Sequence, residues 1–321
     1  MRNQILEFAH NNDYKNMEQS INIFLDIESN SENIAELYHE LGLLFLNSIY
    51  LEKALHMLQK EEYIRKKLIQ KGGIIKAERY HYAKCCYYLG IINEYLNNIA
   101  KASIYYHDGL KQFQQFVSER DVNIPNNSKL VDMVLYKGLL ANKTAFCYQM
   151  LEKLNEESIY YYKETVQAND DMLFCLERSN IDNNVADTIK FLRFQNELII
   201  ALYYLGIFYT DFSFLLRAKE ICLTNIFECE HLLENVDNKN EILMILAKTH
   251  QLFYKVCLKT DSKFSYKNHL DTASHLFFSV NSENKIFEIV SLIKEYDDFY
   301  GIQAQKIIDS YPIFALYLQK Q

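Results

Sequence analysis

Proline and glycine are scarce in this chain, with two and eight copies among 321 residues. Both residues break helix interiors, so their scarcity excludes a turn-rich all-β architecture and predicts long helices with few connections. Tryptophan is absent, while tyrosine (25) and phenylalanine (20) are abundant enough to fill the spaces between helices. No apolar run approaches the ~18 residues that a membrane span needs. The opening segment MRNQILEFAHNNDYK lacks the apolar core of a secretory signal. Basic charge is also sparse. Net charge is −8, and the densest cationic patch, Arg65, Lys66 and Lys67 with Lys71, reads as a solvated helix face. Without a basic stripe to neutralise phosphates, nucleic acid is not an expected partner. Nor is a membrane.

Motifs for chemistry are missing as well. There is no phosphate-cradling G-x-x-x-x-G-K-[ST], no G-x-G-x-x-G and no G-x-S-x-G. His39-Glu40 starts a zinc-protease-like run, but Leu43 stands where the second histidine belongs. His269 and His275 are six apart, on different sides of a helix. Glu61-Glu62 and Asp170-Asp171 read as capping or solvated carboxylate pairs. The seven cysteines include no C-x-x-C, and most lie in apolar helical runs, where a thiol packs as a small hydrophobe. Cys222 and Cys229 share a helix face and read as packing residues, and Cys85-Cys86 as core plus flank. These absences predict a non-enzymatic protein without cofactor or metal. The odd cysteine count points to a reducing, cytoplasmic location.

What is present is a repeated spacing. Tyr38, Leu41, Gly42 and Phe45 are followed by Ala54 and Leu58. Cys86, Leu89, Gly90 and Asn93 are followed by Ala102 and Tyr106, and Leu202, Leu205, Gly206 and Tyr209 by Ala218 and Cys222. A small residue on each of two antiparallel helices lets their backbones cross closely. Around these marks the periodicity predicts two short helices over 2–11 and 13–28, with Ser31 capping the next helix. Five pairs follow: 35–47 with 52–70, 75–96 with 99–117, 129–151 with 155–167, 188–209 with 213–233, and 241–258 with 266–278. In the third pair, Ala145 takes the glycine place and Ser158 the small place. Gly72-Gly73 ends the fourth helix, and residues 121–128 form the strongest loop. Residues 168–187 read as an irregular stretch broken at Asn169-Asp170-Asp171 and around Asn180–Asn184. Two last helices are expected over 285–299 and 302–319. The chain divides into a helical cap (1–30), a helix-pair array (31–280) and a C-terminal helical pair (281–321), together one continuous domain. No strand-like alternation is sustained, so the chain is all-α.

The motifs resemble the tetratricopeptide repeat, a helix–turn–helix unit that stacks into a superhelix. Tyr38, Cys86 and Leu202 stand in the usual tryptophan place, and the closing proline is missing from every copy. The family period is about 34 residues. Here Gly42 to Gly90 is 48, Gly90 to Ala145 is 55 and Ala145 to Gly206 is 61. Such long, irregular repeats in an acidic chain resemble the bacterial receptors for secreted signalling peptides, the group of the Rap regulators and arbitrium receptors. The ~30 residues before the first repeat are too few for the DNA-binding domain many of those receptors carry.

The resemblance implies a right-handed α-solenoid whose first helices line a concave groove. It places His39, Leu43, Leu46 and Asn47 inward from the first pair. Tyr87, Ile91, Glu94 and Tyr95 follow from the second, with Lys84 beside them. The third offers Asn142, Phe146, Gln149 and Met150, and the fourth Tyr203, Ile207, Thr210 and Asp211. Amides such as Asn47, Asn142 and Gln149 can both donate to and accept from a peptide backbone. The expected function is therefore regulatory binding of a peptide or protein segment in the groove. The alternatives are a scaffold or chaperone for a folded partner and, behind that, an enzyme or enzyme inhibitor with a dispersed site. Phe299, Tyr300, Tyr311 and Phe314 near the end would be exposed unless covered, so a homodimer through the C-terminal helices is a further expectation.

Overall fold

A recurrent turn organises the chain. Among the described residues, four non-glycine positions adopt the left-handed conformation: Asn12, Asn97, Lys153 and Thr210, with φ between 52° and 67°. Each directly follows or closely trails the first helix of a pair. At three of them the next residue's N–H bonds back to the helix: Asp13 to the Phe8 carbonyl, Asn98 to Asn93, and Asp211 to Gly206. These bonds satisfy terminal carbonyls and reverse the chain within a few residues. The computed structural model describes residues 1–48, 50–71, 75–118, 127–178, 185–236, 239–260 and 266–279. Among them are twelve α-helices and no strand. Gly72-Gly73, residues 121–126 of the expected loop, the break at 180–184 and everything from 280 onward lie outside the described residues, including the expected C-terminal pair.

The contacts divide the chain into two compact units, Met1–Asn180 and Ile181–Gln321, a boundary inside the stretch read as one array. In the first unit, helices α1 (Arg2–His10), α2 (Tyr14–Ile27), α3 (Ser31–Asn47), α4 (Leu51–Gln70), α5 (Ile75–Tyr95), α6 (Ile99–Ser118), α7 (Asn127–Glu152) and α8 (Glu156–Arg178) pack mainly against chain neighbours. The second unit contains α9 (Val185–Tyr209), α10 (Phe212–Asn235), α11 (Asn240–Thr260) and α12 (Tyr266–Ser279), joined in the same way.

The repeated glycines sit at the closest crossings. A Cβ built on Gly90 would lie 2.2 Å from the Tyr106 ring, and one on Gly42 would lie 2.6 Å from Leu58. In both pairs the covering side chain is the residue sixteen positions after the glycine. On Gly206 that role passes to Leu215, at 2.8 Å, rather than to Cys222. Ala54, Ala102 and Ala218 are all fully buried, as are Ala145 and Ser158 of the third pair. Leu41, Phe45 and Leu58 are solvent-free in the first pair, each contributing roughly 1.5–3 kcal/mol of burial.

Three local expectations are corrected. Asn30, not Ser31, caps α3, its side chain accepting from the Glu32 N–H. The supposed break at Asn169-Asp170-Asp171 is helical, and α8 runs on to Arg178. Its buried side continues through Tyr162, Thr165, Asn169 and Met172 at helical spacing. Asp171 lies on the other side, 3.5 Å from the Lys137 amine, so three polar letters in a row do not end the helix. Lastly, the basic patch on α4 is not one solvated face. Arg65 is 2% exposed, while Lys66 and Lys67 are exposed.

Candidate functional site

Within the first unit, α3, α5 and α7 each expose one stripe at helical spacing. On α3 it runs through Glu36, His39 and Leu43, on α5 through Tyr80, Lys84, Tyr88 and Ile91, and on α7 through Tyr136, Lys143 and Phe146. All are partly exposed, and cross-contacts make the stripes adjacent. The His39 ring meets Tyr88 edge-on, with centroids 5.7 Å apart. Tyr88 and Tyr136 share a hydroxyl–hydroxyl hydrogen bond of 3.0 Å. The Lys84 amine lies 5.0 Å from the Tyr136 ring centre and 5.5 Å from that of Tyr80. The Lys143 amine donates to Glu94 at 2.9 Å. Arg2 closes the α3 edge by pairing with Glu36 and Glu40. The result is one face, carboxylate-rich at one end and aromatic with interleaved cations through the middle.

Burial pushes the hydroxyls of Tyr80 and Tyr136 above the ordinary tyrosine range, with Asp132 and Tyr88 respectively adding to the effect. These phenols therefore stay protonated and able to donate at neutral pH.

A buried ionic chain supports this face from beneath. The His39 Nδ1 lies 2.8 Å from Glu61 Oε2 on α4. Since a carboxylate can only accept, Nδ1 carries the hydrogen. Glu61 in turn meets the Arg65 Nε at 3.4 Å, and Arg65 Nη1 donates to both Glu78 oxygens at 3.1 and 2.9 Å. Glu61, Arg65 and Glu78 are all under 5% exposed. Arg65 thus joins α4 to α5, while Glu61 fixes a ring on α3. Next to it, His81 is lowered to about 4, first by burial and then by the Arg65 charge.

Glu61 was expected at a solvated helix end. It stands instead in the middle of α4, on the face that Ala54, Leu58 and Arg65 also occupy. The signal was there: 54, 58, 61 and 65 keep one helical register, and the charged letters at the last two hid it. Tyr80, Tyr88 and Tyr136 were missed because their role depends on neighbouring helices.

The structure places the groove candidates unevenly. His39 and Lys84 lie on the face just described, and Glu94 joins it through Lys143. Tyr87 is 4% exposed and packs between Tyr106 and Tyr136. Asn142 is 2% exposed inside α7. The Gln149 side chain accepts from the Tyr162 hydroxyl at 2.7 Å. Asn47 is exposed at the end of α3. In the second unit, Tyr203 is half-buried against Tyr204, and Thr210 and Asp211 form the α9–α10 turn. Asp211 caps α10 by accepting from the Ser213 N–H, which lowers its carboxyl below the usual range.

Among the described residues, no three His, Cys, Asp or Glu side chains come together as metal ligands. No described helix is long and apolar enough to cross a membrane. Cys85 and Cys86 are both fully buried, so neither is a flank, and burial raises both thiols. No family model and no curated protein sequence matches the chain.

Proposed function

We propose that this protein is a regulatory binding protein of the tetratricopeptide-like, right-handed solenoid class, working in the cytoplasm. In this reading the α3–α5–α7 face holds a peptide or an extended protein segment. The observation that carries it is the adjacency of three stripes from three first helices, joined through His39, Tyr88 and Tyr136. An extended peptide needs apolar contact area and groups that answer its backbone amides. Tyrosine rings supply the first, and phenols with an oriented imidazole supply the second. The lysines resting on the rings and the carboxylates at the α3 end favour a ligand of mixed charge that runs across the helices. Binding there would act by population shift, tightening the helix pairs around a ligand that bridges them.

The test is selection from a library of short random peptides on the intact protein, followed by calorimetry with the selected sequences. His39→Ala, Lys84→Ala and Tyr88→Ala are each expected to weaken binding about tenfold, or ~1.4 kcal/mol, with helical content unchanged. Selected peptides that bind all three variants as well as the parent would place the site elsewhere.

A further inference from the structure

A second surface lies on the opposite pairing of the same unit, between α2 and α4. At the start of α2, Tyr14 packs on Phe45 of α3 and on Tyr50, the residue before α4. Between Leu25 of α2 and Tyr63 and Ile64 of α4 lies a groove of about 540 Å³, floored by Ile34 and Tyr38 of α3. Its lining is almost wholly apolar, and Tyr63 on its rim is 60% exposed. Apolar side chains in this number gain from being covered.

Charge specifies the cover. Lys53, Lys60 and Lys67 recur every seven residues along α4, which sets them on one side of the helix at steps of about 10 Å. Lys60 itself lines the groove. Each amine rests on a tyrosine ring: Lys53 on Tyr14 at 2.9 Å, Lys60 on Tyr38 at 5.2 Å and Lys67 on Tyr63 at 4.2 Å from the centroid. Among the described residues none of the three has a carboxylate within ion-pair distance, whereas their neighbour Lys66 pairs with Glu62 at 2.7 Å. A cation row of heptad period beside an apolar trough is the complement of an amphipathic helix with acidic residues at the same period along one edge.

We infer that the α2–α4 groove docks an acidic amphipathic helix of a partner protein, with its apolar stripe on Tyr38, Tyr63 and Ile64 and its carboxylates on Lys53, Lys60 and Lys67. This surface is separate from the α3–α5–α7 face and does not depend on the function proposed for it. A protein using both would read a ligand on one face and present a partner on the other.

The probe is a pair of fluorescent, helix-stabilised designed peptides. They share one leucine stripe and differ only in carrying glutamate or lysine at the flanking heptad position. Anisotropy with the full chain is expected to favour the acidic peptide by about tenfold, with the advantage shrinking as salt rises. Ile64→Asp should abolish binding of both. The triple reversal Lys53→Glu, Lys60→Glu, Lys67→Glu should invert the preference. Equal binding of the two peptides, or a preference unmoved by the reversal, overturns the inference. So does a homodimer, seen by sedimentation, that Ile64→Asp dissolves, because the occupant would then be a second copy. Saturable binding of dodecanoate but of neither peptide would overturn it too, assigning the groove to an anionic amphiphile.

Discussion

The two compact units solve the same packing problem with different polar chemistry. Beneath the first unit's face lies a fully buried ionic chain, Glu61–Arg65–Glu78, tied to His39. Among the described residues of the second unit the buried polar groups are neutral. Asn196 on α9 donates to the Ile245 carbonyl of α11 at 3.2 Å, and its Oδ1 accepts from Thr249 at 2.8 Å. Asn225 on α10 reaches back to the Leu192 carbonyl at 3.3 Å, and His250 stacks on His269. Amides and hydroxyls satisfy a helix crossing at little desolvation cost. Charges do so at a large one, and hold only if every partner is present. Under the function proposed above, the difference suits a surface that orients a side chain for a ligand: Glu61 can hold His39 because Arg65, itself anchored on Glu78, meets Glu61.

The sharpest way to break this comparison is to remove the shared cation. Arg65→Met leaves two buried carboxylates facing each other and should cost about 3–5 kcal/mol in urea denaturation. Asn196→Leu in the second unit strands only neutral groups and should cost about 1–3 kcal/mol. Replacing the whole ionic chain with Glu61→Leu, Arg65→Met and Glu78→Leu together should recover most of the loss while weakening any ligand held by His39. If Arg65→Met costs no more than Asn196→Leu, the contrast between the units fails.

A smaller effect is expected at the glycines. The ring over Gly90 belongs to Tyr106, which is fully buried and has nowhere to move. Gly90→Ala should therefore destabilise by about 1–3 kcal/mol. Gly206→Ala meets a leucine branch at a longer distance and should cost less. Thermal melts of the two variants would rank them, and the reverse order would show that the α9–α10 crossing is the tighter.

The smallest effect is the response to acid. His81 in the first unit and His250 in the second are both lowered to about 4, chiefly by burial, from an ordinary value of 6.5. His269 is lowered in the same direction by burial. Between those pH values the unfolded chain binds more protons than the folded one, so stability rises with pH. The contribution is complete above about pH 6.5 and is lost as pH falls toward 4. Melting temperature measured across that window should decline less in His81→Gln and in His250→Gln than in the parent. Unchanged slopes would mean that neither ring is held neutral by its fold.

Much of the architecture was legible in the chain. Most described helix ends fell within a few residues of expectation, but α8 runs eleven residues past its expected end, through the asparagine and aspartates read as a break. The repeated Gly–Ala spacing identified the crossings because close approach favours small residues there, Ala145 and Ser158 serving in the third pair. The site was legible only in part. The register of the first helices named His39 and Glu94, with Lys84 set beside them, and the face includes all three, but the same register also named Tyr87 and Asn142, which are buried. Thr210 and Asp211 carry the same positional mark and are used up by the turn they build.

The sequence by itself determined that this is a helical chain of paired elements, where those pairs cross, and which side of each helix turns inward. These properties follow from spacing along one strand, and spacing is local. Only the tertiary structure decided that Arg65 is buried with two carboxylates, that α3, α5 and α7 form one face, and that residues of α2, α3 and α4 line a groove beside a row of lysines. Each of these depends on what a neighbouring helix brings to the same place. A charged letter reads as solvated until the partner that neutralises it is known.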